Sequence, residues 1–165
     1  MGGNGAGGKG PLEVTHPLVG QPAPDFSLSD QDGIPVSLTD LRGSEALIVF
    51  VPFAFSPVCT YELEQLRDAS DLTASGARIL IVNCDSTYVN QEWAYQNKFD
   101  GTLLSDFWPH GAMSESFGVF DDELGRAKRG TFHLDASGIV DWVLVSPTGD
   151  ARDLAEYRKV LGVPA

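Results

Sequence analysis

Cys59 is the residue in this sequence best placed to do chemistry. It ends the stretch Pro52-Phe53-Ala54-Phe55-Ser56-Pro57-Val58-Cys59, where a continuous apolar run gives way to helical spacing. Ser is a preferred helix N-cap and Pro a preferred first helical residue, so Ser56 and Pro57 start a helix and put Cys59 in its first turn. The unpaired backbone N–H groups and the positive end of that turn favour a thiolate. A thiol with a pKa of about 8.5 is only about 3% ionised at pH 7 and one near 6 roughly 90%, a gain of only about thirtyfold. Nucleophilicity falls along with the pKa, so larger accelerations require fixed donors aimed at the charge that develops on a leaving group.

The other reactive residue types offer less. A lone cysteine is more often a small buried hydrophobe than a nucleophile. Cys84, in Ile81-Val82-Asn83-Cys84-Asp85, follows an apolar run that explains a buried thiol, and the charge of Asp85 beside it disfavours a thiolate. A dithiol redox site needs a second cysteine where Glu62 stands. His16, His110 and His133 are far apart, with no paired spacing that suits zinc or iron, so no metal is expected. The glycines between positions 2 and 10 open no helix after a strand, so no phosphate loop and no cofactor is expected either. Asp121-Asp122-Glu123 and Asp135 read as turn and surface charge, Arg126 as surface, and Trp93, Phe107 and Trp108 as core before substrate-lining aromatics.

Several elements must position Cys59. Phe26-Ser27-Leu28 and Val36-Ser37-Leu38 alternate around the turn Asp30-Gln31-Asp32-Gly33, which predicts a hairpin. Ala46-Leu47-Ile48-Val49-Phe50-Val51 reads as a strand buried on both faces and ended by Pro52. Leu63, Leu66, Ala69 and Leu72 recur at helical spacing after it. Ile79-Leu80-Ile81-Val82 predicts a second buried strand, residues 89–99 a second helix, and 131–135 with 139–143 a second hairpin around Ala136-Ser137-Gly138. A last helix is expected over 153–161. A strand-helix-strand unit implies parallel pairing with a right-handed crossover, and the closing hairpin adds antiparallel strands to the same sheet. The expected fold is α/β and thioredoxin-like, a mixed central sheet with helices on both faces and an N-terminal hairpin extension.

Composition limits the partners. Against 11 basic side chains stand 23 acidic ones, a net charge of -12, so nucleic acid and an anionic membrane surface would be repelled. No apolar run approaches the roughly 20 residues that span a bilayer, and the N-terminus lacks the basic and apolar regions of a secretory signal. Two cysteines in 165 residues make no disulfide framework. A cytoplasmic protein is expected, with a glycine-rich flexible arm at 1–17 and one domain from 18 to 165.

Pro52, Ser56 and Cys59 match Pro, three residues, Thr or Ser, two residues, Cys, and Glu62 follows at a spacing of three. With Ala23-Pro24-Asp25-Phe26, Phe117-Gly118-Val119 and Arg129-Gly130-Thr131-Phe132, the chain resembles the peroxiredoxin family. The runs from Leu104 to Ala112 and from Gly118 to Phe120 look particularly like its one-cysteine alkyl hydroperoxide reductase E branch. The resemblance implies a thiol-dependent peroxidase that reduces hydrogen peroxide or organic hydroperoxides through a Cys59 sulfenic acid. Arg129 would hold the thiolate and polarise the peroxide, Ser56 would donate to the bound peroxide, Pro52 would shield the sulfur and Glu62 would orient the arginine. The backbone N–H groups of Val58 and Cys59 would complete the donor set. Expected partners are a peroxide, a thiol reductant such as a thioredoxin-like or glutaredoxin-like protein or a low-molecular-weight thiol, and a second copy in a homodimer. The competing reading is a non-enzymatic redox-sensing or chaperone-like module on the same fold.

Overall fold

The computed structural model describes residues 16–164. Apart from His16 and Pro17, the expected flexible arm lies outside the described residues.

Short alternating segments form β1 (Ser27–Ser29) and β2 (Pro35–Ser37), an antiparallel hairpin on its own. The apolar run becomes β3 (Ala46–Phe50), every residue of which is buried. It is followed by α1 (Pro57–Asp68), β4 (Arg78–Asn83) and α3 (Thr87–Gln96). The chain closes with β8 (Arg129–Leu134), β9 (Val140–Ser146) and α5 (Leu154–Leu161). Ser86 caps α3 by accepting from the Val89 N–H, and Asp153 caps α5 by accepting from the Ala155 N–H.

The central sheet has the order β5-β4-β3-β8-β9, where β5 is Thr102–Ser105. β3, β4 and β5 run parallel, and β8 and β9 add antiparallel strands beyond β3. This is the mixed sheet expected. One face carries Leu47, Val49, Val51, Ile81 and Leu103 and packs on α1, α3 and α5. The other carries Ile48, Phe50, Leu80, Val82 and Phe132 and is covered by Phe26, Met113 and Phe117.

Several elements differ from expectation. The helical spacing that runs through Leu72 is broken at Ala69 (φ -85, ψ 69), which divides it into α1 and a short α2 (Ser70–Ala74). Periodicity persists because both pieces rest on the same face of the sheet. β5 carries no strand signal in the sequence because its apolar core is two residues, Leu103 and Leu104. The same holds for α4 (Ala112–Ser116) and for the hairpin of β6 (Phe120–Asp121) and β7 (Arg126–Ala127), which are too short to establish a period. The second helix begins two residues before 89 and ends at Gln96, where Asn97 caps it.

β5 is the outer strand of its side, and the first turn reaches it. Asp30 forms an isolated bridge with Leu104. The Gln31 side-chain amide donates to the Gly101 carbonyl at 2.6 Å and accepts from the Leu103 N–H at 2.9 Å. No helix among the described residues is long and apolar enough to cross a membrane.

Candidate active site

β3 delivers the chain to the carboxyl edge of the sheet, and buried Pro52 ends it. The loop 52–56 then turns into α1 through Phe55, a non-glycine residue at φ 67, and an extended Ser56 (φ -68, ψ 149). Pro57 occupies the first turn, as the sequence predicts. Ser56 stands at the cap position without capping: its hydroxyl donates to the Phe53 carbonyl at 3.1 Å. Among the described residues the backbone N–H groups of Val58 and Cys59 have no partner, as first-turn donors without a capping side chain do. Cys59 points inward and is 0% exposed, packed with Val49, Val51 and Leu63.

Arg129 opens β8. Because β8 runs antiparallel to β3, with Thr131 opposite Val49, its first residue returns to the edge where β3 ends. The guanidinium is buried, with Nη1 3.3 Å from the Cys59 sulfur and 2.5 Å from Glu62 Oε1, while Nε donates to the Thr148 carbonyl at 2.6 Å. Glu62 lies three residues after Cys59, hence on the same side of α1. Its carboxylate also takes three bonds from Arg152: from Nε at 2.6 Å, from Nη2 at 3.0 Å and from the backbone N–H at 3.0 Å. Nη1 of Arg152 reaches the Gly130 carbonyl at 3.1 Å and Thr131 Oγ1 at 3.2 Å. Burial works against the charged form of Glu62, but the hydrogen bonds and charge of Arg152, with Arg129 beyond, outweigh it and hold its carboxyl below the usual glutamate range.

Two buried guanidinium groups thus share one buried carboxylate. The excess positive charge beside the sulfur is what a thiolate neutralises, and an Arg fork offers several donors to an oxygen on which charge develops. Such a set can activate a sulfur nucleophile and stabilise an oxygen leaving group.

A family model described as AhpC/TSA matches residues 19–143. The chain belongs to the AhpC/TSA family. It is 42% identical over 137 residues to the alkyl hydroperoxide reductase E of Mycobacterium bovis, covering 82% of this chain and 90% of that one. It is 36% identical over 136 residues to the peroxiredoxin Bcp of Escherichia coli, covering 78% and 86%. Among solved structures, AhpC of Enterococcus faecalis superposes with a TM-score of 0.81 at 27% identity over 88% of this chain and 90% of that one. Peroxidoxin BcpB of Mycobacterium tuberculosis gives 0.77 at 30% identity over 89% and 96%. This member of the AhpC/TSA family is a peroxiredoxin that resembles alkyl hydroperoxide reductase E, and its activity is that of a thiol-dependent peroxidase.

The residues singled out from the sequence meet in one place: Arg129 bonds both Cys59 and Glu62, and Pro52 and Ser56 belong to the loop that delivers the cysteine. Arg152 was missed. In Gly149-Asp150-Ala151-Arg152-Asp153 it looks like turn and surface charge, and yet it is buried. The available signal was Glu62 itself, since a buried carboxylate has more lone pairs than one guanidinium satisfies. Arg126 is half-buried, with its guanidinium 5.5 Å from the Phe53 ring centroid. Trp93 is core and donates from its indole N–H to Thr60 Oγ1 at 3.2 Å, whereas Phe107 and Trp108 are exposed.

Cys84 is buried on the other side of the sheet. Alternation along β4 puts it with Leu80 and Val82, beside Asp106, Ser114 and Ala127. Burial, reinforced by the charge of Asp106, pushes its thiol up to about 11.

Proposed function

We propose that Cys59 is the peroxidatic residue and that it works by a one-cysteine cycle. The Cys59 thiolate attacks one peroxide oxygen, an S–O bond forms, the O–O bond breaks, and the departing oxygen takes a proton to leave as water or an alcohol. Sulfur is oxidised by two electrons to the sulfenic acid and the peroxide is reduced. A reductant thiol then displaces water to give a mixed disulfide, and a second thiol releases Cys59 as the new disulfide leaves.

Arg129 carries the charge that opposes the thiolate and donates to the breaking O–O bond, while Glu62 and Arg152 fix its direction. Ser56 swings its hydroxyl from the Phe53 carbonyl to the peroxide, the N–H groups of Val58 and Cys59 add donors, and Pro52 keeps water from the sulfur. The observation that carries this reading is the Arg129 Nη1 at 3.3 Å from the Cys59 sulfur, braced against Glu62. The substrates are hydrogen peroxide or organic hydroperoxides; the name of the relative from Mycobacterium bovis and the exposed rings of Phe53 and Phe55 in the loop support the organic ones. The reductant is a thioredoxin-like or glutaredoxin-like protein or a small thiol. Two unpaired cysteines suit a reducing, cytoplasmic compartment.

The test combines one variant with mass spectrometry. Cys59→Ser should abolish peroxide consumption and keep the fold, since an oxygen there stays protonated at neutral pH. In the wild type one equivalent of peroxide should add the mass of one oxygen, about 16 Da, at Cys59. Retention of about a tenth of the activity by the variant would sink the assignment.

A further inference from the structure

The loop 52–56 decides where the Cys59 sulfur and its N–H donors point, and its own geometry needs explaining. Phe55 sits at φ 67, a region that bulky L-residues avoid and hold only when their surroundings impose it. Two groups outside the loop grip it. Arg126 lies over the Phe53 ring, and the Asp85 carboxylate accepts from the Ala54 N–H at 2.9 Å, 31 residues away in sequence. The second acts on the backbone itself, at the residue that precedes Phe55.

Asp85 is itself immobilised from the core. Its backbone N–H donates to Asn83 Oδ1 at 3.2 Å, and its carbonyl accepts from the Ser105 hydroxyl at 2.5 Å. Asn83, at the end of β4, exchanges two side-chain bonds with Asn90 of α3, at 2.7 and 3.0 Å, and both residues are buried. A continuous set of bonds therefore runs from α3 through the ends of β4 and β5 to the residue beside the strained Phe55. Among the described residues no hydrogen bond or ion pair joins Asp85 to Cys59, Arg129 or Arg152, and its link to the site runs through the loop.

We infer that Asp85 is a positioning residue of the peroxidase site, holding the loop in its reactive geometry through the Ala54 N–H. The inference rests on the peroxidase role of Cys59, and the experiment separates the two. Single-turnover oxidation of Cys59 by hydrogen peroxide is timed by quenching and mass spectrometry in the wild type, Asp85→Ala and Asp85→Asn. Misplacement of a reacting group by about 1 Å can slow a reaction about a hundredfold, so Asp85→Ala should be at least about fivefold slower than the wild type. Asp85→Asn keeps an oxygen that accepts from the Ala54 N–H and should return to within about twofold of the wild type. General loss of structure would not be rescued in that way. If the wild-type Cys59 is not oxidised, the peroxidase reading fails and this one with it. If it is oxidised and Asp85→Ala reacts as fast, or if Asp85→Asn is as slow as Asp85→Ala, only the positioning role is overturned. Should Asp85→Ala not fold, hydrogen exchange in the wild type decides: the Ala54 amide should exchange at least about tenfold more slowly than an unprotected amide, and free exchange there overturns the proposal.

Discussion

Charge balance around a single carboxylate governs the site at the scale of side chains. Glu62 accepts from both arginines while buried, so it is required to remain ionised. Removing one partner of a buried ionic set leaves the others uncompensated, and Glu62→Gln should cost about 3–5 kcal/mol at pH 7. The folded protein holds this carboxyl below the usual range. Its contribution is therefore complete above the unfolded value of about 4.3 and is lost as pH falls through the lower folded value. Urea unfolding of wild type and variant should show a gap that narrows from pH 7 towards pH 3. A constant gap would mean that shape rather than charge is what Glu62 supplies. Arg129 and Arg152, which share this carboxylate, should respond to the substitution together and not as independent sites.

Elements were legible where they were long. Ala46–Phe50 announced itself by five consecutive apolar residues, and Ser56-Pro57 marked the start of α1 although the Ser56 hydroxyl bonds backwards to Phe53 and not to the helix. Cys59 and Glu62 were legible because their spacing from Pro52 and Ser56 is local, and Arg129 because Gly130-Thr131-Phe132 follows it directly. Arg152 was not, because nothing in a polar turn signals that α5 and β9 will carry it under α1. The same limit hid the role of Gly130 in β8. A Cβ there would lie 2.7 Å from Val119 Cγ1 and 3.3 Å from the Phe132 ring, both buried side chains. Gly130→Ala should therefore destabilise by about 1–3 kcal/mol through overpacking. It should also slow peroxide reduction, since the Gly130 carbonyl bonds Arg152 and its neighbour is Arg129. Calorimetry and the peroxide assay on one preparation check both effects; an unchanged melting temperature would show that Val119 yields freely.

On the scale of the molecule, the sheet separates the two thiols. Cys59 belongs to the face under α1 and α5, and Cys84 to the face under α4. A disulfide needs Cα atoms within about 7 Å and facing Cβ vectors, so an intramolecular bridge would require α1 to unwind and the sheet edge to be crossed. With its thiol pushed up to about 11, Cys84 is also nearly all protonated at neutral pH. Cys84→Ser should leave turnover with a small dithiol unchanged, and the peroxide-treated wild type should carry an added oxygen and not lose about 2 Da as two hydrogens. A Cys59–Cys84 peptide in a non-reducing digest would refute the one-cysteine cycle. β5 is the outer strand on its side of the sheet. An unpaired strand edge is a template on which other chains add and fibrils begin. Here Gln31, a residue of a polar turn, offers its side-chain amide to Gly101 and Leu103 as a backbone peptide would, and Asp30 bridges Leu104 beside it. The N-terminal hairpin thus occupies part of the β5 edge like a stopper, so that a strand from another copy of the protein would find those backbone groups already taken.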